Sequence, residues 1–538
     1  MHPSVHIDTF ARDHLPPPEQ WPEFRFDLPQ LQYPARLNCA AELLDRVVEN
    51  GHGERIALRT PDVAWSYRQL LARANRIAQV LQKDLALVPG NRVLLRGPNN
   101  PMMAACWLAV IKAGCIAVAT MPLLRAKELG QIVDKAAIGV ALCDARLLDE
   151  LRLAHEASAS LKQVLTFNNS GPNSIEHLMA NKSDDFDNVD TASDDVALIA
   201  FTSGTTGQPK GTMHFHRDVL SMCDCFPRSI LESGPEDIFC GTPPIAFTFG
   251  LGGMLCFPLH VGATTVLVEK LLPETLLQTI QDNRATICFT APTFWRLMAP
   301  LAKHYDLSSL KKCVSAGEAL PDATRQLWRK TTGIEIIDGI GATEMIHIFI
   351  SHTPESVRRG ATGYAIPGYR ACIVDDEGKL LPPGTVGRLA VQGPTGCRYL
   401  DDTRQSDYVQ DGWNLTGDAY KMDADGYFFY QARTDDMIIS AGYNIAGPEI
   451  EEVLMRHPEV AECAVVGQPD NERGQRVAAY VVLRDPGLAS PALVRELQDY
   501  VKGEIAPYKY PRQVEFVAVL PRTETGKLQR FRLRVTDS

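Results

Sequence analysis

One segment, 202–211, limits the possible folds of this chain more than any other. It reads Thr-Ser-Gly-Thr-Thr-Gly-Gln-Pro-Lys-Gly and follows the apolar run 196–201, which predicts a buried strand. The three glycines let the backbone turn and bring N–H groups close to a ligand. A Gly/Thr surface turn would explain this composition, but not a lysine set between two glycines.

With its hydroxyls and its cation, the segment predicts a nest of amides that binds a polyphosphate. Its spacing is not that of the Walker pattern G-x-x-x-x-G-K-[ST]. The residues expected to contact phosphate are Thr202, Ser203, Gly204, Thr205, Thr206, Gly207 and Lys210.

Length and composition indicate an ordinary multidomain protein. The 538 residues exceed what one hydrophobic core usually serves, and a net charge of −11 argues against nucleic acid or an anionic membrane as the main partner. The 13 cysteines lack paired metal-ligand spacing, which favours reduced, buried thiols in the cytoplasm. Residues 1–6 have no basic and apolar signal pattern, so no signal peptide is expected.

The order of the apolar runs predicts an α/β fold. Between about residues 43 and 400, β-rich runs alternate with amphipathic helices, which indicates mostly parallel sheets flanked by helices. Runs near 371–374 and 387–392 predict a smaller β-rich subdomain. Beyond residue 434, segments of α, β, β, α and β type predict a small mobile α+β lid. We therefore expect an N-terminal domain over residues 1–434 and a C-terminal domain over 435–538.

Two further segments need a structural interpretation. Residues 102–121 are almost wholly apolar, but Lys112 and Gly114 interrupt them and Pro101 suits a helix start. A buried helix followed by a strand is therefore expected rather than a membrane span. Residues 1–35, rich in proline and aromatics, are expected to form an extended arm over the main body.

Six motifs follow the phosphate loop in a fixed order. They are Ser315-Ala-Gly-Glu-Ala-Leu-Pro321, Asp338-Gly-Ile-Gly-Ala-Thr-Glu344, Gly412-Trp-Asn-Leu-Thr-Gly-Asp418, Arg433-Thr-Asp-Asp436, Ser440-Ala-Gly-Tyr-Asn444 and Pro521-Arg-Thr-Glu-Thr-Gly-Lys527. With the loop, they resemble the adenylate-forming superfamily of acyl-CoA synthetases, luciferases and peptide-synthetase adenylation domains. The resemblance runs from about residue 40 to the C-terminus. It implies an AMP-forming acid–thiol ligase that uses ATP, CoA and Mg²⁺.

The resemblance also implies the nucleotide contacts. Glu344 would hold Mg²⁺, which accepts one carboxylate with phosphates and waters, and Thr343 would donate to the α-phosphate. Taken alone, either residue could be a helix-start cap. Asp418 would accept the ribose hydroxyls, and Arg433 would reach the same ribose and the phosphate. The adenine-binding residues would be Gly317, Glu318, Ala319, Asp338 and Gly339.

For the C-terminal domain, the resemblance implies two positions. Lys527, which outside its motif would be read as a solvated surface charge, is expected to bridge the substrate carboxylate and the α-phosphate during adenylation. The domain would then rotate about Asp435. Rotation would withdraw the lysine and bring in Ala441, Gly442 and Tyr443, which leave a passage for the pantetheine arm of CoA.

The acyl pocket is expected around 247–252 and 341–349. The segment 344–349, Glu-Met-Ile-His-Ile-Phe, resembles the benzoate-CoA ligase branch, and Phe294 or Trp295 would add flat packing for a ring. Thr248-Phe249 replaces the Ala-Tyr pair of that branch, and a buried hydroxyl favours a polar ring substituent. Residues 8–17 resemble 2-aminobenzoate-CoA ligases, so 2-aminobenzoate (anthranilate) is the favoured acid and benzoate the alternative. The expected pocket residues are Thr248, Phe249, Gly341, His347 and Ile348.

Other functions share parts of this pattern. A peptide-synthetase adenylation domain would carry an aspartate where Thr248 stands. A luciferase-like oxygenase shares every nucleotide motif, and a non-catalytic nucleotide sensor would not need Lys210, Glu344 and Lys527 together. The expected role is aromatic compound catabolism. Candidate macromolecular partners are a second copy in a homodimer and a lysine acetyltransferase acting on Lys527.

Overall fold

The computed structural model describes residues 1–203, 209–270, 272–433, 436–440, 443–470, 473–522 and 528–534. Helices and strands alternate through most of them, as the apolar runs predict. The α-helices are Phe10–Asp13, Tyr67–Gln79, Pro101–Lys112, Ala126–Lys135, Leu148–Ala157, Ile175–Met179, His216–Phe226, Thr248–Leu251, Phe257–Val261, Pro273–Asn283, Pro292–Met298, Asp322–Thr332, Gln405–Tyr408, Gly447–Leu454 and Pro491–Glu504.

A sheet of six described strands carries the predicted phosphate loop. In spatial order they are Gln163–Phe167, Val140–Asp144, Arg92–Arg96, Ile116–Thr120, Val196–Ser203 and Pro209–Phe215. The first five run parallel, and the last pair is antiparallel. The central strands are buried almost throughout, which explains why they read as apolar runs without alternation.

A second sheet, of nine described strands, carries the predicted adenine and acyl segments. In spatial order they are Tyr364–Ala365, Ile348–Ser351, Ile336–Gly341, Lys312–Ser315, Ile287–Thr290, Ile238–Gly241, Thr264–Val266, Ile56–Arg59 and Ala64–Ser66. Its six middle strands run parallel, and the outer pairings are antiparallel. Mostly parallel sheets flanked by helices were expected, and the structure confirms them.

An antiparallel sheet forms the predicted β-rich subdomain. Its described strands are Arg370–Val374, Val386–Gln392, Trp413–Met422, Val409–Gln410 and Phe428–Arg433. The pairing of Trp413–Met422 with Phe428–Arg433 matters for the site, because it sets the predicted ribose contacts on neighbouring strands.

The C-terminal part has a sheet and a core of its own. Its described strands are Tyr443–Ile445, Ile438–Ser440, Gly474–Leu483, Val460–Asp470 and Gln513–Phe516. The main core cluster there, which includes Ile450, Val465, Val481 and Leu497, draws its buried residues from this part alone. This confirms the predicted small α+β domain. Residues 434 and 435, where the boundary was predicted, lie outside the described residues, so the boundary stays a prediction.

The apolar stretch 102–121 folds into the helix Pro101–Lys112 and the strand Ile116–Thr120, as predicted. Asn100 caps the helix, because its side chain accepts the Met103 N–H at 2.9 Å. The fully buried Lys112 is paired with Asp45 at 2.5 Å. No helix in the described part of the chain has both the length and the hydrophobicity needed to cross a membrane.

Residues 1–35 lie over the N-terminal domain and are held by polar contacts. The backbone N–H of His2 donates to both carboxylate oxygens of Asp194, at 3.0 and 3.1 Å, and Asp8 forms an ion pair with Arg92. The arm contains the short helix Phe10–Asp13 and the 3₁₀ turns Pro18–Gln20 and Pro29–Leu31, and the rest of this fully described segment has no regular secondary structure apart from an isolated bridge.

Candidate active site

The strands that flank the predicted phosphate loop pair with each other, so the two ends of the loop meet. Thr202 lies opposite Lys210 in the antiparallel register, and Ser203 lies opposite Pro209. Residues 204–208 lie outside the described residues. The phosphate contacts predicted for Gly204, Thr205, Thr206 and Gly207 therefore stay predictions.

Glu344 lies on a short 3₁₀ helix, Thr343–Met345, directly after the strand Ile336–Gly341. Ala342 precedes that helix and no side chain caps it, so neither predicted residue serves as its cap. The carbonyl of Thr343 accepts a hydrogen bond from Nε2 of the buried His214 at 2.7 Å. This bond fixes the backbone next to the carboxylate.

The chain bends sharply just after Glu344. Ile346 has φ +65°, which is rare for a β-branched residue and stores backbone strain. The strand Ile348–Ser351 starts two residues later. Glu344 and His347 thus stand on either side of one tight bend, which joins the nucleotide side of the site to the acyl side.

Tyr399, which no sequence motif indicated, joins Lys210 to Glu344. Lys210 Nζ donates to Tyr399 Oη at 3.3 Å, and Oη donates to Glu344 Oε1 at 2.5 Å. The ammonium also lies 5.2 Å from the centre of the tyrosine ring, within the range of a cation–π contact. Because 189 residues separate Lys210 from Tyr399, no local pattern connects them.

The surroundings of Glu344 suit Mg²⁺. No group of three or more His, Cys, Asp or Glu side chains that could hold a metal occurs among the described residues. Mg²⁺ commonly takes one or two carboxylates and fills its other positions with substrate phosphates and waters. A single, mostly buried carboxylate joined through Tyr399 to the end of the predicted phosphate loop therefore fits this cation.

Asp418 and Arg433 are direct partners in the antiparallel register of their strands. Arg433 Nη1 lies 3.2 Å from Asp418 Oδ1. Burial raises the pKa of Asp418, and the charge of Arg433 opposes that rise. Gly417 has φ +74°, and a Cβ there would lie 2.9 Å from Arg433 Nη2, so glycine leaves room for the guanidinium. The two predicted ribose contacts are thus side by side.

The first predicted adenine segment follows the strand Lys312–Ser315, and Asp338 of the second, in the strand Ile336–Gly341, is the parallel register partner of Ser315. Carboxyl ends of parallel strands are the usual ligand-binding edge of an α/β sheet. Burial raises the pKa of Asp338 to about 8, so its carboxyl is mostly protonated at pH 7 and can donate a hydrogen bond. The predicted residues along these strand ends are Gly317, Glu318, Ala319, Asp338 and Gly339.

Aromatic side chains surround His347 on the acyl side. The imidazole centre lies 4.5 Å from the ring centre of Phe257 and 5.7 Å from that of Phe249, and Phe249 lies 5.6 Å from Phe289. Burial lowers the pKa of His347 to about 3, so the imidazole is neutral. A Cβ on Gly252 would lie 2.4 Å from His347 Cδ2, so only glycine permits this packing. The result is an uncharged aromatic wall at the predicted acyl pocket.

The remaining predicted pocket residues lie next to this wall. Thr248 is the first residue of the helix Thr248–Leu251 and is 8% exposed. Its hydroxyl has no hydrogen-bond partner within the described ranges. Gly341 is the register partner of Ile348, beside His347. The structure therefore brings the five predicted pocket residues together.

The expectation that Trp295 could line the pocket is wrong. Its ring packs against Trp328 at 4.7 Å, in a core cluster separate from that of His347. Phe294 packs against that same separate cluster. Phe257 and Phe289 stand against His347 and Phe249 instead, and the sequence analysis had not selected either.

Two family models match the chain. The model described as AMP-binding enzyme matches residues 44–398, and the model described as AMP-binding enzyme C-terminal domain matches residues 449–527. The chain belongs to the AMP-binding enzyme family.

Relatives of this AMP-binding enzyme cover nearly its whole length. Benzoate–CoA ligase from Thauera aromatica is 33% identical over 512 residues, which are 94% of this chain and 97% of the relative. The crystal structure of the anthranilate CoA ligase AuaEII in complex with anthranoyl-AMP has a TM-score of 0.89 at 33% identity and covers 94% of this chain and 98% of its own. The structure of a benzoate CoA ligase from Burkholderia xenovorans LB400 has a TM-score of 0.84 at 30% identity and covers 93% and 100%.

These matches confirm three predictions. The fold class is that of the adenylate-forming enzymes, and this AMP-binding enzyme is an ATP-dependent acid–CoA ligase. Its reactants include ATP and CoA, with the Mg²⁺ that is general for the family.

Ion pairs join the two domains of this AMP-binding enzyme. Arg296, in the N-terminal domain, donates to the Ala461 carbonyl at 2.5 Å and to Glu462 at 2.9 Å. Arg522 pairs with the same Glu462, and its Nη1 lies 3.8 Å from Glu318 in the predicted adenine segment. Residue 522 of the C-terminal domain therefore lies at the edge of the predicted nucleotide site.

Several predicted residues lie outside the part of the chain that the structure describes. They are the catalytic Lys527, the hinge Asp435, and Ala441 and Gly442 of the CoA passage. Tyr443 is described at the backbone, where it pairs with Ser440 between antiparallel strands. The roles of these residues stay predictions.

Proposed function

We propose that this enzyme is an aryl-CoA ligase that activates 2-aminobenzoate with ATP and then transfers the acyl group to CoA. The observation that carries the proposal is the neutral, aromatic wall around His347 with the free Thr248 hydroxyl beside it. A flat apolar surface suits a ring, and a hydroxyl without a protein partner beside it suits a ring that bears one polar group. The named relatives act on benzoate and anthranilate, which supports this class of acid.

In the first half-reaction, a carboxylate oxygen of the acid attacks the α-phosphorus of ATP. The new bond joins that oxygen to phosphorus, and the bond between the α-phosphorus and the bridging oxygen breaks, so that pyrophosphate leaves. We assign Lys210, Thr343 and Lys527 to hold the phosphates and the carboxylate while charge shifts between them. Mg²⁺, held by Glu344, would neutralise phosphate charge. Asp418 and Arg433 would orient the ribose.

In the second half-reaction, the CoA sulfur attacks the carbonyl carbon of the aryl-adenylate. The carbon–sulfur bond forms, the carbon–oxygen bond to AMP breaks, and the thiol proton is released. This step needs space where Lys527 stood, so we propose rotation about Asp435 and entry of CoA past Ala441, Gly442 and Tyr443. Arg522 of the C-terminal domain pairs with Glu318 of the predicted adenine segment, and Glu462 pairs with Arg296 of the N-terminal domain and with Arg522. These ion pairs support the proposal that the described structure has the C-terminal domain in its adenylating position.

Benzoate is the second candidate, since two relatives carry that activity in their names. The two acids differ by one amino group, and so the Thr248 hydroxyl is the feature that separates them. With benzoate bound, the Thr248 hydroxyl would have no hydrogen-bond partner, which would cost about 1–3 kcal/mol of binding free energy. This favours 2-aminobenzoate.

The test is acid-dependent AMP formation in the presence of ATP, Mg²⁺ and CoA. We expect the highest kcat/KM for 2-aminobenzoate, then benzoate and hydroxybenzoates, and little activity with hexanoate. A preference for hexanoate would contradict the aryl assignment. A preference for benzoate over 2-aminobenzoate would leave the aryl class intact but overturn the choice of acid.

We also propose the setting of this reaction. The thirteen cysteines of the chain are free, and all but one are buried, which fits a reducing, cytoplasmic compartment. A role in aromatic compound catabolism follows from the proposed acid. Acetylation of Lys527 would remove the charge needed for adenylation, and a homodimer is proposed as the assembly. Mass spectrometry of the purified protein and its molecular mass in solution test these two points.

A further inference from the structure

Tyr399 is buried, 1% exposed, and its backbone is fixed on both sides. Its N–H donates to Gln405 Oε1 at 2.8 Å, and the amide of that glutamine donates to the Cys397 and Gln20 carbonyls. The next residue, Leu400, donates its N–H to the Gly211 carbonyl at 2.8 Å. The tyrosine is therefore held against the strand that carries Lys210, in one position.

The direction of the two hydrogen bonds at Tyr399 Oη is fixed by chemistry. An ammonium has only donors and a carboxylate only acceptors, so Lys210 donates to the phenol and the phenol donates to Glu344 Oε1. An ordinary phenol is protonated at neutral pH, so Tyr399 keeps the proton that it donates.

This arrangement holds a cation and an anion apart. Lys210 and Glu344 form no direct ion pair among the described residues, because the phenol lies between them. One carboxylate oxygen is engaged by the tyrosine, and no described residue donates to Oε2. A direct Lys–Glu pair would neutralise both groups and withdraw each from ATP and its cation.

We propose that Tyr399 is a positioning residue that separates Lys210 from Glu344 and leaves Glu344 Oε2 available to the Mg²⁺ of the bound nucleotide. It acts through these two side chains and not on the reacting atoms. The proposal rests on the proposed role of Glu344 as the magnesium ligand. It adds a residue outside the predicted nucleotide motifs to the binding of the cation.

The experiment measures metal binding without turnover. Electron paramagnetic resonance follows Mn²⁺ titrated into enzyme saturated with α,β-methylene ATP, in the absence of acid and CoA. Tyr399→Phe removes the hydroxyl and keeps the ring. Because hydrogen bonds to charged groups are worth more than neutral ones, we expect the Mn²⁺ dissociation constant to rise about tenfold. The Mg²⁺ concentration for half-maximal ATP–pyrophosphate exchange should rise in parallel, with the ranking of acids unchanged.

Tyr408→Phe is the matched control. Its ring lies 5.9 Å from that of Tyr399 in an edge-to-face contact, and its buried hydroxyl has no partner among the described residues. We expect wild-type Mn²⁺ affinity in this variant, and unliganded melting temperatures show that both variants fold. Unchanged Mn²⁺ affinity in Tyr399→Phe, or an equal loss in Tyr408→Phe, overturns the proposal.

Glu344→Gln separates this proposal from the function on which it rests. Its Mn²⁺ affinity should fall further than that of Tyr399→Phe. If Glu344→Gln loses affinity and Tyr399→Phe does not, the positioning role fails and the metal site stands. If Glu344→Gln binds Mn²⁺ as the wild type does, the metal assignment fails together with the role of Tyr399. Exchange that depends on 2-aminobenzoate tests the proposed acid independently of both.

Discussion

The nucleotide side and the acyl side of the site are built in opposite ways. On the nucleotide side, charged groups are joined by hydrogen bonds between different sheets, as in the chain from Lys210 through Tyr399 to Glu344. On the acyl side, His347 is neutral and packed among phenylalanines. Fixed charges stabilise charge that develops in a reaction, whereas apolar walls select shape and penalise unpaired polar groups.

This difference indicates that the two sides have separate roles in binding and selectivity. Under the proposed function, the nucleotide side would contact ATP, which is the same for every acid, so changes there should slow the reaction of all acids alike. The acyl side would contact only the ring of the acid, so changes there should alter the ranking of acids.

The largest effect is expected for Lys527→Ala. Loss of a well-placed charge should slow ATP–pyrophosphate exchange about 100-fold or more, equally for 2-aminobenzoate and benzoate. Thioester formation from supplied aryl-AMP and CoA should be spared. Lys330→Ala, at an exposed position on the helix Asp322–Thr332, is the control. If Lys527→Ala slowed both half-reactions equally, the proposal that the C-terminal domain takes two positions would be contradicted.

Gly442→Leu should have the opposite effect on the two half-reactions, slowing thioester formation and sparing adenylation. A side chain in the CoA passage should slow thioester formation by about tenfold or more, the scale of an overpacked site, while exchange continues and aryl-AMP accumulates on the enzyme. Gly503→Leu, where an added Cβ meets no atom within 4 Å, controls for the substitution itself. Normal CoA turnover in Gly442→Leu would place the passage elsewhere.

His347 should make the acyl side sensitive to acid. Its pKa falls from 6.5 to about 3 on burial, so between these values the unfolded chain binds a proton that the folded chain does not. The free energy of unfolding should therefore fall as pH decreases below about 6.5, by up to about 1.4 kcal/mol per pH unit for this residue.

His347→Leu should remove that contribution. Melting temperatures measured between pH 6.5 and 4 should fall less steeply in the variant than in the wild type. Some dependence should remain, because burial also lowers the pKa of His216 to about 3 and of His352 to about 4. An unchanged slope would mean that His347 is protonated in the folded protein and the wall is not neutral.

The smallest effect is expected for Thr248→Ala. If the hydroxyl pairs with the ring amino group, kcat/KM for 2-aminobenzoate should fall by about threefold to tenfold relative to benzoate, the worth of one neutral hydrogen bond. Benzoate is the internal control, since it has no group to leave unpaired. Equal losses for both acids would make Thr248 a packing residue and remove the structural reason for choosing 2-aminobenzoate.

The sequence by itself determined most of the fold and the class of reaction, and it predicted the contacts of the nucleotide side. Buried strands such as Arg92–Arg96 and Val140–Asp144 were predictable because a parallel sheet covered on both faces requires continuous apolar runs. Motif order selected Glu344, Asp418 and Arg433 as predicted nucleotide contacts, and the structure sets the last two side by side. Apolar runs and motifs are local sequence patterns, and so they could be recognised in a single sequence.

Only the tertiary structure decided which distant side chains meet. Tyr399 reaches Glu344 across 55 residues and His214 reaches Thr343 across 129, through contacts that depend on how whole sheets pack. For the same reason the sequence analysis wrongly selected Trp295 for the predicted acyl pocket, although that ring packs against Trp328. The rings that pack against His347 and Phe249 are those of Phe257 and Phe289. The hydrophobicity of a residue predicts that its side chain is buried. Which side chains it then contacts depends on how its helix or strand packs in the fold.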